Sequence, residues 1–374
     1  MEFLDFCFFL LLQFLTRFQT KPFSEDYFMI VKNLLVVGVV AGFATAAAAA
    51  EGSKANFKVG AKVRMDNEQW TMEDSPNGGT KTTSKSSSIG LHTAAFSLTG
   101  ESGSDSLHIL YHANTNTLRH ATISHKLNDM ASATFGQMHL LSGSWENSYD
   151  TADQYLYSST HDMMYKDRSG AQVDLSFGDH KVAIQAVQGE TEVGGKMFEE
   201  NGGLSTSLQY RGNLGMVRPL ISYSQIRTSA SRSTDSSLNY GDGYATIMGA
   251  GVQADAAGAT VDLELDTIKM HKQKNVTGSK DSNMQSIVAQ VRYPVGANTT
   301  PFLKFVSESH KFGAAKDAGD EAGTSFAFGA EHKLDDACRL HAVYISKNMT
   351  TKNTDGKDDK DTHMGFNLGV TAAM

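Results

Sequence analysis

Lys58, Lys62 and Arg64 stand at even positions of a stretch whose odd positions hold Phe57, Val59, Ala61, Val63 and Met65. Side chains of an extended chain alternate faces, so these residues make a ribbon with one cationic and one apolar side. A cationic face can attract and steer charged solutes if it is wet. Turned to lipid it would cost about 2 to 4 kcal/mol per base at the bilayer midplane. Arg119 is a fourth basic candidate, on a segment that alternates poorly. Acids of matching interest are Glu146, Asp150 and Asp153, inside residues 141–169, the longest interval without alternation. Long irregular stretches of a compact fold are usually functional or disordered. The competing reading of these three acids is ordinary solvated loop charge. His108 and His112 share a strand face, but four residues along a strand is about 13 Å, too far for one metal ion. They read as lining of the wet face or as packing, and no metal or cofactor is expected.

The elements that must position these residues are strands. About fifteen further segments repeat the alternation of residues 56–66. In residues 258–273, Asp262, Glu264 and Asp266 oppose Val261, Leu263 and Leu265; in residues 363–374, Met364, Phe366, Leu368, Val370 and Ala372 oppose Gly365, Asn367, Gly369 and Thr371. A single soluble sheet can read this way too. The repetition, with long connections alternating with short ones, is the signature of a transmembrane antiparallel up-and-down β-barrel, all-β, of about 16 strands. Polar loops are expected at residues 67–87 and 349–362, and tight turns at 100–103, 178–180 and Ala256-Ala257. The last segment is the natural partner to close the ring against the first.

Nothing after Glu51 reads as a linker, so residues 51–374 form one domain. No apolar run there approaches the roughly 20 residues that a spanning helix needs. Residues 29–50 read as a secretory signal peptide: Lys32, an apolar run from Leu34 to Ala44, then Ala48-Ala49-Ala50 before Glu51. Residues 1–28 do not fit ahead of such a signal. They are read as upstream sequence preceding a true start at Met29, with an unusually long leader as the alternative. Cys7 lies in that extension, leaving Cys338 without an internal disulfide partner in an exported chain. The net charge of -8 is mixed along the chain, so no nucleic-acid partner follows from it.

Several segments resemble the general Gram-negative bacterial outer-membrane porins. Leu118-Arg119-His120-Ala121 is similar to that family's Arg-Glu-Ala strand, and Thr134-Phe135-Gly136-Gln137 to the strand running into its third loop. Phe328 to Leu334, followed by Leu340 to Tyr344, resembles the near-terminal hairpin, and Met364 to Leu368 the closing strand. Two residues depart from the family pattern: Gln137 stands where an arginine is usual, and Met374 where the chain usually ends in an aromatic. The resemblance implies passive diffusion of small hydrophilic solutes and ions through a homotrimer set among outer-membrane lipid and lipopolysaccharide. It also implies that the third loop, residues 141–169, folds into the barrel and brings its acids opposite the basic wall.

Two other functions compete. A barrel enzyme such as a phospholipase needs a serine and a histidine held together, and no motif here singles out such a pair. A structural or adhesive barrel would have a plugged lumen and outer loops that bind a surface.

Overall fold

The computed structural model describes residues 56–76, 79–141, 167–188, 204–227, 244–270, 281–311, 320–353 and 357–373. The signal peptide, the upstream extension and Met374 lie outside the described residues. Sixteen strands run in chain order. The first eight are β1 (Asn56–Ser75), β2 (Thr82–Ser102), β3 (Asp105–His112), β4 (Thr117–Lys126), β5 (Ala131–His139), β6 (Asp167–Phe177), β7 (His180–Gln188) and β8 (Leu204–Gly212). They are followed by β9 (Val217–Arg227), β10 (Tyr244–Ala256), β11 (Ala259–Met270), β12 (Ser282–Arg292), β13 (Thr299–Lys311), β14 (Glu321–Lys333), β15 (Cys338–Lys352) and β16 (Asp358–Ala373).

Each strand pairs antiparallel with its sequence neighbours, and β1 pairs with β16 from Lys62↔Ala373 to Ser75↔Lys360, closing the ring. Closure satisfies the backbone polar groups that lipid cannot, which is why barrels cross membranes and open sheets do not. Among the described residues no helix is long and apolar enough to cross a membrane.

The two faces are inverted relative to a soluble protein. On β11, Asp262, Glu264 and Asp266 are 4%, 4% and 0% exposed, whereas Leu263 and Leu265 are 49% and 41% exposed. On β13, Lys304 is buried between the exposed Leu303 and Phe305. Charge inside and hydrocarbon outside is the arrangement of a wall between lipid and a polar interior. The chain is therefore a multi-pass transmembrane barrel.

The polar loop expected at residues 67–87 is mostly strand. The β1–β2 ladder continues to Asp74↔Thr82, and the Lys81 ammonium pairs with the Glu73 carboxylate beside the tip. The loop expected at 349–362 shortens in the same way, because β15 runs to Lys352 and pairs with β16 from Asp358 onward. Alternation of apolar residues reports contrast between the two faces. It disappears where both faces are polar, although the hydrogen-bond ladder continues.

At the opposite end of the barrel the turns are tight. Ala257 and Gly258 both have positive φ, 50° and 82°, which is the two-residue hairpin that matches strand twist. The turn therefore sits one residue later than the expected Ala256-Ala257. The poor alternation around Arg119 also has a local cause: Leu110 pairs with His120 and Tyr111 with Leu118, leaving Arg119 as the extra residue of a β-bulge.

Candidate pore lining and constriction

Register carries the lumen face around the ring. Lys58, Lys62 and Arg64 share their face of β1 with Thr99, Ala95 and Thr93 of β2. Through Thr99 and Ala95 that face continues onto His108 and His112 of β3. Lys58 is exposed, Lys62 half-buried and Arg64 buried. The cationic run ends at Arg64, since Asp66 follows on the same face and accepts from its Nε at 3.3 Å. Arg119 occupies the bulge of β4. Glu146, Asp150 and Asp153 lie outside the described residues.

A polar network then binds the closing seam from the lumen side. His341 Nε2 of β15 lies 3.1 Å from Asp66 Oδ1 and 3.3 Å from Asn367 Oδ1. Asn367 Nδ2 donates to Glu68 at 3.3 Å, and the Trp70 indole N–H donates to the other Glu68 oxygen at 3.3 Å. The network therefore runs from Arg64 to Trp70 across β1, β16 and β15. It needs glycine on β16, because a Cβ at Gly369 would strike the Asp66 carboxylate and the His341 ring, and one at Gly365 the Trp70 indole. The small Gly365 and Gly369 of the closing strand thus make room for their neighbours' side chains.

Further round the wall, charges of both signs face the lumen. Arg292 of β12 reaches across β13, over the Phe302 ring, to Glu331 of β14 at 3.2 Å. Lys347 of β15 lies 3.6 Å from Glu308 of β13. Arg218 and Asp255 pair at 2.8 Å, and Thr260 donates to the same carboxylate at 2.9 Å. The acidic column of β11 stands six strand steps from β1 by the shorter way round. Its Asp262 accepts from Gln253 at 2.8 Å.

Leaving β5, the chain turns into the lumen. Leu141 N–H donates to Gln185 Oε1 of β7 at 3.1 Å, and Gln185 Nε2 returns a bond to the His139 carbonyl at 2.7 Å. Ser224 of β9 donates to the Leu141 carbonyl at 3.3 Å. Leu140 and Met138 join Val187, Ile226, Ile247, Ile268 and Met284 in one buried cluster. On their strands these last five share the face of Gln185, Ser224, Gln253, Asp266 and Ser286, so this apolar patch is on the inner wall. A second patch, Val288, Phe302, Val306, Ala327, Val343 and Ile345 with Trp70 against it, also faces inward.

Reading the sequence for a wholly wet interior missed these patches. Ile226, Ile247 and Ile268 sit at lumen-parity positions near the strand ends, where their apolar character looks like a lapse in alternation. Gln185 and Ser224 carry no signal of their own, because their partners are backbone groups of a distant segment.

No family model matches the chain, and no curated protein matches it in sequence. Solved structures do resemble it. OmpT, an outer-membrane protein of Vibrio cholerae, superposes with a TM-score of 0.60 at 15% identity, covering 86% of this chain and 98% of that one. OmpF of Salmonella typhi, in complex with daunomycin, gives 0.59 at 15% identity over 85% of this chain and 97% of that one. An anion-selective porin from Comamonas acidovorans gives 0.58 at 13% identity over 86% and 100%. At these identities the likeness is one of fold, a sixteen-stranded outer-membrane barrel of porin type.

Proposed function

We propose that the protein is a general diffusion porin, a water-filled channel that passes small hydrophilic solutes and ions across the outer membrane without catalysing a reaction. The observation that carries this reading is the inward turn after β5, pinned by Gln185 and Ser224 to a wall lined with both Lys or Arg and Asp or Glu. Sixteen strands enclose a lumen wide enough for water. A polar lining with an inward-folded segment narrows it and lets size and charge decide what passes. Because Arg64 is balanced by Asp66, and Arg292 by Glu331, the channel discriminates weakly between cations and anions. The unit in the membrane is a homotrimer in contact with lipid and lipopolysaccharide.

Single-channel recording in a planar bilayer tests the reading, with the reversal potential measured in a salt gradient. Stepwise conductance with a small reversal potential is expected. A purified, folded barrel that never conducts would refute it.

A further inference from the structure

The outward faces of β12 to β16 are layered toward the long connections, the end that faces outward in barrels of this kind. Register lines up their side chains in rows, each two residues, or about 7 Å, further along the strands. The lowest row considered is hydrocarbon: Val291, Leu303, Phe328, Tyr344 and Phe366. Phe305 and Phe326 continue it one row up, and the Tyr344 ring lies 6.1 Å from Phe326 and 5.3 Å from Phe328 between centroids. The next row is polar: Ser307, Thr324, Asn348 and Thr362, with the Thr362 hydroxyl donating to Asn348 at 3.0 Å. Above it stand Gln285, Ser309, Ala322 and Thr350, ending on Lys360 of β16. Lys311 of β13 is one row higher still.

Because the central side chains of the two polar rows are small, the outer wall is dented there. Gln285, Ser307, Ser309, Thr324, Asn348 and Thr350 line a groove of about 450 Å³, within the range of small-molecule sites. Of the residues around it only Glu308 is charged, and its carboxylate points to the lumen side, 3.6 Å from Lys347. The groove itself is therefore neutral and hydrogen-bonding. Lys311 and Lys360 are exposed at its upper rim, on opposite sides. Three strand spacings and one row separate them, about 16 Å between backbones, so both side chains reach a molecule lying between them. Lys352, the third base at this end, stands opposite Asp358.

We infer that this groove on the outer faces of β12 to β16 seats the headgroup of a phosphorylated glycolipid, the lipid A of lipopolysaccharide. The three layers occur in the order in which such a lipid presents its parts. Acyl chains lie against Phe305 and Phe326, where aromatic rings sit at a membrane interface. Sugar hydroxyls both donate and accept, as do the hydroxyls and amides of the groove. Phosphates at the sugar's outer edge meet Lys311 and Lys360, whose ammonium groups give charge-assisted hydrogen bonds. A glycerophospholipid supplies the chains and the phosphate but leaves the row of hydroxyls without a partner. The inference rests on the outer-membrane location of the proposed function and gives its lipid partner a site.

Native mass spectrometry of the detergent-folded full chain, titrated with diphosphoryl lipid A, dephosphorylated lipid A and phosphatidylglycerol, reads the layers separately. Diphosphoryl lipid A is expected to form one saturable adduct and to bind more tightly than phosphatidylglycerol. A lysine beside an anionic headgroup is worth roughly fivefold in binding, so Lys311→Gln with Lys360→Gln should weaken diphosphoryl lipid A about 25-fold. The same pair should leave dephosphorylated lipid A unchanged. Thr324→Trp, which fills the groove, should weaken both forms. Lys126→Gln with Lys333→Gln removes equal charge at the opposite end of the barrel and should change neither. Phosphatidylglycerol bound as tightly as lipid A by the wild-type chain would overturn the inference and leave the groove to a protein partner. No loss in the Lys311 and Lys360 pair, or an equal loss in the control pair, would overturn it as well. A barrel that binds lipid A but never conducts would fail the proposed function and leave this site standing.

Discussion

Replacing Gln185 by methionine isolates the pin that holds the inward turn. The two side chains are close in size and Gln185 is almost fully buried, so packing is preserved while its three polar contacts vanish. What is lost is a 3.3 Å bond to Gln172 Oε1 on the neighbouring strand and, at the turn, two bonds to backbone groups, the Leu141 N–H and the His139 carbonyl. An unsatisfied buried backbone group costs about 1 to 3 kcal/mol. Both groups are only partly shielded, so the low end applies and the two together destabilise the closed turn by about 2 to 3 kcal/mol. At about 1.4 kcal/mol per factor of ten, the local opening equilibrium rises roughly 30- to 150-fold. Amide hydrogen exchange reads this directly. In Gln185→Met the Leu141 amide should exchange faster by that factor, while amides in β11 and β13 keep their wild-type rates. An unchanged Leu141 rate in a folded variant would refute the claim that Gln185 holds the turn.

Three further outcomes follow from the face assignments. Leu303→Arg places a charge on the lipid side of β13 and should cost about 2 to 4 kcal/mol in urea titrations of vesicle-folded protein, with Leu303→Phe near neutral. Gly365→Val drives a side chain into the Trp70 indole and should destabilise the seam by about 1 to 3 kcal/mol. Adding Trp70→Ala should recover part of that loss, whereas strictly additive effects would place the clash elsewhere. Neutralising the acidic column of β11 with Asp262→Asn, Glu264→Gln and Asp266→Asn should move the reversal potential toward anion preference. No movement would remove those acids from the conducting path.

The legibility of the candidate site was uneven, and the reason lies in the range of the interactions. Lys58, Lys62 and Arg64 could be grouped because period-2 alternation is local, but that Asp66 answers Arg64 and takes His341 from the far end of the chain depends on ring closure. Arg119 could be flagged as a base, yet its bulge is a relation between β3 and β4. The histidines show the contrast most directly: spacing along one strand separates His108 from His112, and only cross-strand register brings the His108 ring edge-to-face with His120, and His120 with His139.

By itself the sequence determined that the chain makes ribbons with one apolar and one polar side, about how many, and which face of each must be wet. Those properties are set residue by residue, by the pleat and by the cost of placing charge in hydrocarbon. Only the tertiary structure decided where strands outlast their alternation, which charges neutralise one another, and that an apolar patch on the inner wall receives Met138 and Leu140. Each of these is a contact between segments distant in the chain, fixed by register and closure, and no local pattern of residue types encodes it.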